Sequence, residues 1–102
     1  MYRARDRVDN EEWIETLHAA ADRLDLGAEP RSTAVDLFLT AIQSADGSKR
    51  TVMAASLYAG SLIAGEQRSQ GAVADAADVS RLSIQQRWKE VLRTAGLEPP
   101  GW

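Results

Sequence analysis

The sequence predicts an all-α domain of five helices with no strand. Three observations carry that prediction. Apolar residues recur three and four apart in five separate stretches. The third stretch, about Lys49 to Ala64, is apolar nearly all round, as a helix in the middle of a bundle must be. The last two stretches are parted only by Asp78-Val79-Ser80, which is the sequence form of a helix-turn-helix.

Taken in order, residues 1–8 read as a flexible N-terminal arm, residues 9–97 as the helical domain, and residues 98–102 as an extended tail. The arm's arginines are best read as belonging to a frayed terminus. Asp9 and Glu12 are spaced as a capping box, and Glu11 and Glu15 suit the positive end of a helix dipole. Trp13, Ile14, Leu17, Ala20, Ala21 and Leu24 then mark one face of a first helix that ends near Leu26-Gly27. Pro30 opens a second helix, where its missing N–H costs nothing. Val35, Phe38, Leu39 and Ile42 form its buried face, and Ala34 and Ala41 permit close approach.

Asp46-Gly47 signals a turn, and Ser48 is placed to cap the third helix. Val52, Met53, Ala54, Ala55, Leu57, Tyr58, Ala59, Leu62, Ile63 and Ala64 leave that helix hardly any polar face. It falls short of the roughly twenty apolar residues a membrane span needs. Gly65 stops it. A short fourth helix, Gln70 to Ala77, carries Val73, Ala74 and Ala77 inward, and Val79 is expected to plug the angle before the fifth. Ser80 caps the fifth helix, which runs from Arg81 to about Ala95 and stops at Gly96. Ile84, Trp88, Val91 and Leu92 fall on its apolar face, while Arg81, Gln85, Gln86, Lys89 and Arg93 fall largely opposite.

Composition narrows the functional classes. The chain has 102 residues, no cysteine and a net charge of −3. Disulfides and thiolate zinc sites are therefore excluded, and avid sequence-blind binding to nucleic acid is disfavoured. The charged N-terminus lacks the apolar block of a secretory signal, so a soluble cytoplasmic protein is expected. Gly60 and Gly65 have the spacing of a phosphate-binding loop, but Glu66 and Gln67 stand where Lys and Ser/Thr are required, so helix close-packing explains them better. His18 is the only histidine and reads as a half-exposed packing residue. No enzyme activity, metal or cofactor is expected. Between Val79 and Gly96, by contrast, Arg81, Arg87, Lys89 and Arg93 face a single acid, Glu90. Arginine can bridge the acceptors of guanine, and glutamine can pair with adenine.

Several segments together resemble a known family. They are Gly47-Ser48-Lys49-Arg50, then Val52-Met53-Ala54-Ala55-Ser56-Leu57-Tyr58-Ala59, then Arg68-Ser69-Gln70, Val73-Ala74, Val79-Ser80, Ile84 and Arg87-Trp88-Lys89-Glu90-Val91-Leu92. With five helices around an apolar third, the chain resembles the cyclin-like repeat of transcription factor IIB and its archaeal counterpart, transcription factor B. The similarity spans roughly Trp13 to Leu97 and is strongest from Ser48 onward.

The resemblance implies a five-helix cyclin-like domain with a role in basal or regulated transcription. The family's last repeat reads promoter DNA beside the TATA element, and its repeats also contact the TATA-binding protein. Carried over, the DNA face comprises Ser80, Arg81, Gln85, Gln86, Lys89 and Arg93, with Ser69 and Gln70 meeting phosphate at a helix N-terminus. Three departures stand out. Family members have two repeats and a cysteine-rich zinc ribbon, whereas this chain has one repeat and no cysteine. Asp78 puts a negative charge in the turn. The chain is thus expected to be a stand-alone single-repeat relative or a fragment of a larger protein. Two functions compete: promoter-DNA recognition through the helix-turn-helix, and docking of a transcription partner without DNA contact. Overall charge favours docking, while the turn spacing and the local basic excess favour DNA.

Overall fold

The computed structural model describes residues 4–44 and 47–101. Its described residues form six α-helices and no strand: α1 (Ala4–Asp9), α2 (Glu11–Arg23), α3 (Ala28–Ala41), α4 (Lys49–Ile63), α5 (Gln70–Ala77) and α6 (Arg81–Thr94). The five expected helices are α2 to α6. Helix α1 occupies part of the segment expected to be an arm, and its described side chains are exposed. Asp46, half of the expected turn signal, and Trp102 lie outside the described residues.

Helix α4 is the hub, touching α2, α3, α5 and α6. Every residue from Val52 to Ser61 is buried, so all sides of the helix are covered by neighbours. Small side chains set how near those neighbours come. At Gly60, an added Cβ would lie 2.9 Å from the backbone nitrogen of Ala34, so α3 and α4 cross almost backbone to backbone. Against α6 the packing is aromatic: Tyr58 and Trp88 meet edge to face, with centroids 5.3 Å apart and planes at 78°. Ile84, Trp88, Val91 and Leu92 are buried as their spacing predicts.

Four helices end in the same way. After α2, α4, α5 and α6 a left-handed residue turns the chain, and the amide beyond it bonds a carbonyl five residues back: Leu26 to Ala21, Glu66 to Ser61, Val79 to Ala74 and Leu97 to Leu92. The left-handed residues are Asp25, Gly65, Asp78 and Gly96. This corrects the expected end of the first helix. The chain leaves α2 at Leu24 with Asp25 in the turn, which swings Leu26 back into the core.

Other details also differ from expectation. Helix α3 begins at Ala28 with Gly27 at its N-cap, which leaves Pro30 inside the first turn, where an N–H still has no intrahelical acceptor. The Asp9–Glu12 capping box does not form. Asp9 completes α1, Asn10 holds the N-cap of α2 without a side-chain cap bond, and its Oδ1 accepts from Lys49 Nζ at 2.8 Å instead. Only Gly60 serves close packing; an added Cβ at Gly65 would meet open space, and its φ of +77° makes it a helix stop.

Gly60→Ala should lower the denaturation midpoint. The methyl would collide with the Ala34 backbone, so about 1–2 kcal/mol of overpacking remains after the gain in helix propensity is set against it. A rise in stability on chemical denaturation would show that α3 and α4 do not approach this closely.

Candidate nucleic-acid interface

The start of α5 is set by bonds that reach across the bundle. Arg68, just before it, donates from Nε to Leu24 O at 2.9 Å and from its guanidinium to Asp25 O at 3.2 Å. Glu66 Oε1 accepts from the Gly27 amide at 3.0 Å. The loop ahead of α5 is thereby tied to the turn between α2 and α3. Ser69 then caps α5 by accepting from the Ala72 amide at 3.0 Å. Ser80 caps α6 in the same way, accepting from the Ser83 amide at 3.2 Å.

These two capped ends open onto one groove, lined by Ser69, Gln70, Gly71, Arg81, Leu82 and Gln85. Four of the predicted site residues thus converge: Ser69, Gln70, Arg81 and Gln85. Ser80 lies beside them with its hydroxyl also within 2.8 Å of Ser83 Oγ. Lys89 and Arg93 line a neighbouring depression with the tail from Gly96 to Gly101, and Glu98 faces the same space. Lys89 Nζ lies 5.5 Å from the Trp88 ring centroid. Gln86 is exposed but lines neither hollow.

Positive charge on α6 is divided by direction. Arg81 and Arg93 are exposed and have no ion-pair partner among the described residues. Arg87 instead points toward the start of α4: it lies 3.8 Å from Glu90, and a Cβ built on Gly47 would sit 2.9 Å from its guanidinium. The basic excess counted along the sequence is therefore smaller on the groove side. Asp78 is exposed in the turn with φ of +58°.

Leu82 was not foreseen as a site residue. It is 61% exposed in the middle of the groove, although leucine normally seeks the core. Its signal is positional: it stands two residues before Ile84, which puts it on the opposite side of α6 from the apolar stripe. Among the described residues no group of His, Cys, Asp or Glu is placed to hold a metal ion, and no helix is long and apolar enough to cross a membrane.

The architecture is that of an all-helical, cyclin-like repeat built on a buried central helix. The family model described as the transcription factor TFIIB repeat matches residues 9–94, and the chain belongs to that family. It is 32% identical over 83 residues to transcription initiation factor IIB of Pyrococcus horikoshii, an alignment covering 78% of this chain and 28% of that protein. It is 34% identical to transcription initiation factor IIB 1 of Thermococcus kodakarensis with the same coverage. It is 35% identical over 78 residues to transcription initiation factor IIB of Archaeoglobus fulgidus, covering 74% of this chain and 24% of that protein. The chain thus spans about a quarter of the length of these relatives, 24–28%.

Ser80→Ala should cost about 1 kcal/mol by removing the cap of α6. Amide exchange would register it first at Ser83, whose N–H loses the hydroxyl and keeps only the Ser80 carbonyl at 3.1 Å. Unaltered exchange there would mean that the α6 terminus is held by something other than this hydroxyl.

Proposed function

We propose that the chain is a promoter-DNA-binding module of transcription initiation, with α5 and α6 acting as a helix-turn-helix. The observation that carries this reading is the groove in which Arg81, Leu82 and Gln85 stand beside the N-termini of both helices. A recognition helix meets base edges with its N-terminal residues. Here those residues offer a guanidinium for guanine, an amide for adenine and an apolar contact for a thymine methyl. The amide ends at Ser69-Gln70 and Ser80 suit flanking phosphates. Family membership and the names of the relatives support a place in transcription initiation. The protein partner suggested by the family is the TATA-binding protein. The function is binding, with no catalytic step and no cofactor.

A net charge of −3 is compatible with this reading because specificity, rather than bulk attraction, is asked of the groove. One observation favours docking of a protein as a second activity. Between α3 and the end of α6 a hollow joins the apolar Leu37, Ala95 and Leu97 to a polar margin of Thr33, Asp36, Thr40 and Thr94. It is separate from the residues of the proposed DNA face.

The variant Arg81→Ala/Lys89→Ala should weaken binding to duplex DNA by about 1–3 kcal/mol and flatten the salt dependence by roughly one to two units of slope. Its helix content should match the parent by circular dichroism. Asp78→Asn keeps a residue that tolerates the left-handed conformation and removes a carboxylate from the turn, so it should tighten binding. Binding indifferent to all three changes would remove this groove from consideration.

A further inference from the structure

Lys49 and Arg50 open α4 at a place where cations are unfavourable. The positive end of a helix dipole repels them, and the first turn of α4 holds no acid to compensate. Both side chains are engaged elsewhere. Lys49 bonds Asn10, as described above. The Arg50 guanidinium lies 5.4 Å from the Trp13 ring centroid and donates to Ala77 O at 3.1 Å. From α2, Arg23 donates to the neighbouring carbonyl, Ala76 O, at 2.9 Å.

Ala76 and Ala77 are the last two residues of α5. Carbonyls at a helix C-terminus lack intrahelical donors, and the dipole there attracts positive charge. Helix α5 has eight residues and no basic residue in its own last turn. A helix so short does not hold itself together in water. The missing cations are brought by α2 and α4.

We infer that Arg23 and Arg50 are positioning residues for the α5–α6 pair. They clamp the C-terminal end of α5 to the bundle, and so set the direction in which Asp78-Val79-Ser80 delivers α6. Trp13 supports the clamp as a flat rest for the Arg50 guanidinium. Neither arginine lines the groove at Ser69–Gln85, so their contribution to binding is orientation and not contact. The consequence for affinity rests on the DNA reading; the consequence for order in the turn does not.

The test compares Arg50→Met, Arg50→Lys and Arg23→Lys in the full chain, by amide hydrogen exchange and by titration with a mixed-sequence duplex at several salt concentrations. Exchange at Val79 and Ser83 should speed up by about tenfold in Arg50→Met, the loss expected of one charge-assisted hydrogen bond. Amides of Val52 to Ala59 should keep their rates. The two lysine variants keep the charge but lose the planar fork, and should show a smaller change at the same amides. They decide the matter should Arg50→Met fail to fold. DNA affinity should fall by about tenfold in Arg50→Met with an unaltered salt slope, because no phosphate contact is removed. Exchange that rises equally along α4 and α6, or not at all at Val79 and Ser83, would overturn the inference. So would a salt slope reduced by about one, which would make Arg50 a phosphate contact. If the parent chain binds no duplex, the DNA reading fails while the exchange rates still decide the clamp.

Discussion

Helix α4 buries every residue from Val52 to Ser61, and a helix with no solvated face in that stretch has to be enclosed. The enclosure determines most of the fold. α2, α3, α5 and α6 each turn an apolar stripe toward α4, and Gly60 with its neighbouring alanines brings α3 to backbone distance. Trp88, buried against Tyr58, fixes the rotation of α6 about its own axis. Once Ile84, Trp88, Val91 and Leu92 face inward, Leu82 has to face out, while Arg81 is exposed because it opens the helix beyond the core and Gln85 because it flanks the stripe. The presentation of the candidate interface is thus a consequence of core packing.

Polar contacts complete what apolar burial leaves loose. Helix α5 has only Val73, Ala74, Ala76 and Ala77 to bury, which is little to hold a helix in place. It is tied at its start by Arg68 and Glu66 and at its end by Arg23 and Arg50. These arginines bond backbone carbonyls, so they act as long-range helix caps rather than as parts of surface ion pairs, which contribute little. The cations among the described residues therefore divide into those that hold the scaffold and those left exposed, such as Arg81 in the groove and Arg93 in the depression beside it. A small, locally basic face on a chain of net charge −3 follows from that division.

Legibility in the sequence follows the range of the interaction. Buried stripes and N-caps are local, so α4, the stripe of α6, and the caps at Ser48 and Ser80 can be read from spacing alone, while the cap at Ser69 emerges only in the structure. Helix stops are half legible: Gly65 and Gly96 announce themselves, whereas Asp25 and Asp78 do the same work with a residue that tolerates positive φ but adopts it far less often than glycine. That is why α2 ends before the Leu26-Gly27 that its sequence suggests. Arg23 and Arg50 look like solvated surface charges until the tertiary fold brings the end of α5 to them. Asn10 is illegible for the same reason, since its Oδ1 accepts from Lys49, 39 residues away. In the groove, Arg81 and Gln85 are legible because polar side chains in the first turns of a helix after a short turn invite the reading, and Leu82 is not because leucine is ordinarily assigned to the core.

On the proposed DNA reading, the bundle presents the N-terminal turns of α5 and α6 to duplex DNA. The most direct test of that reading is an amide-shift titration of the chain with a promoter-like duplex at low and then raised salt. DNA binding by these turns should give shifts concentrated at Ser69–Gly71 and Ser80–Arg93 that fade as salt rises. Shifts confined to α2 and α3, or none at either salt, would contradict it.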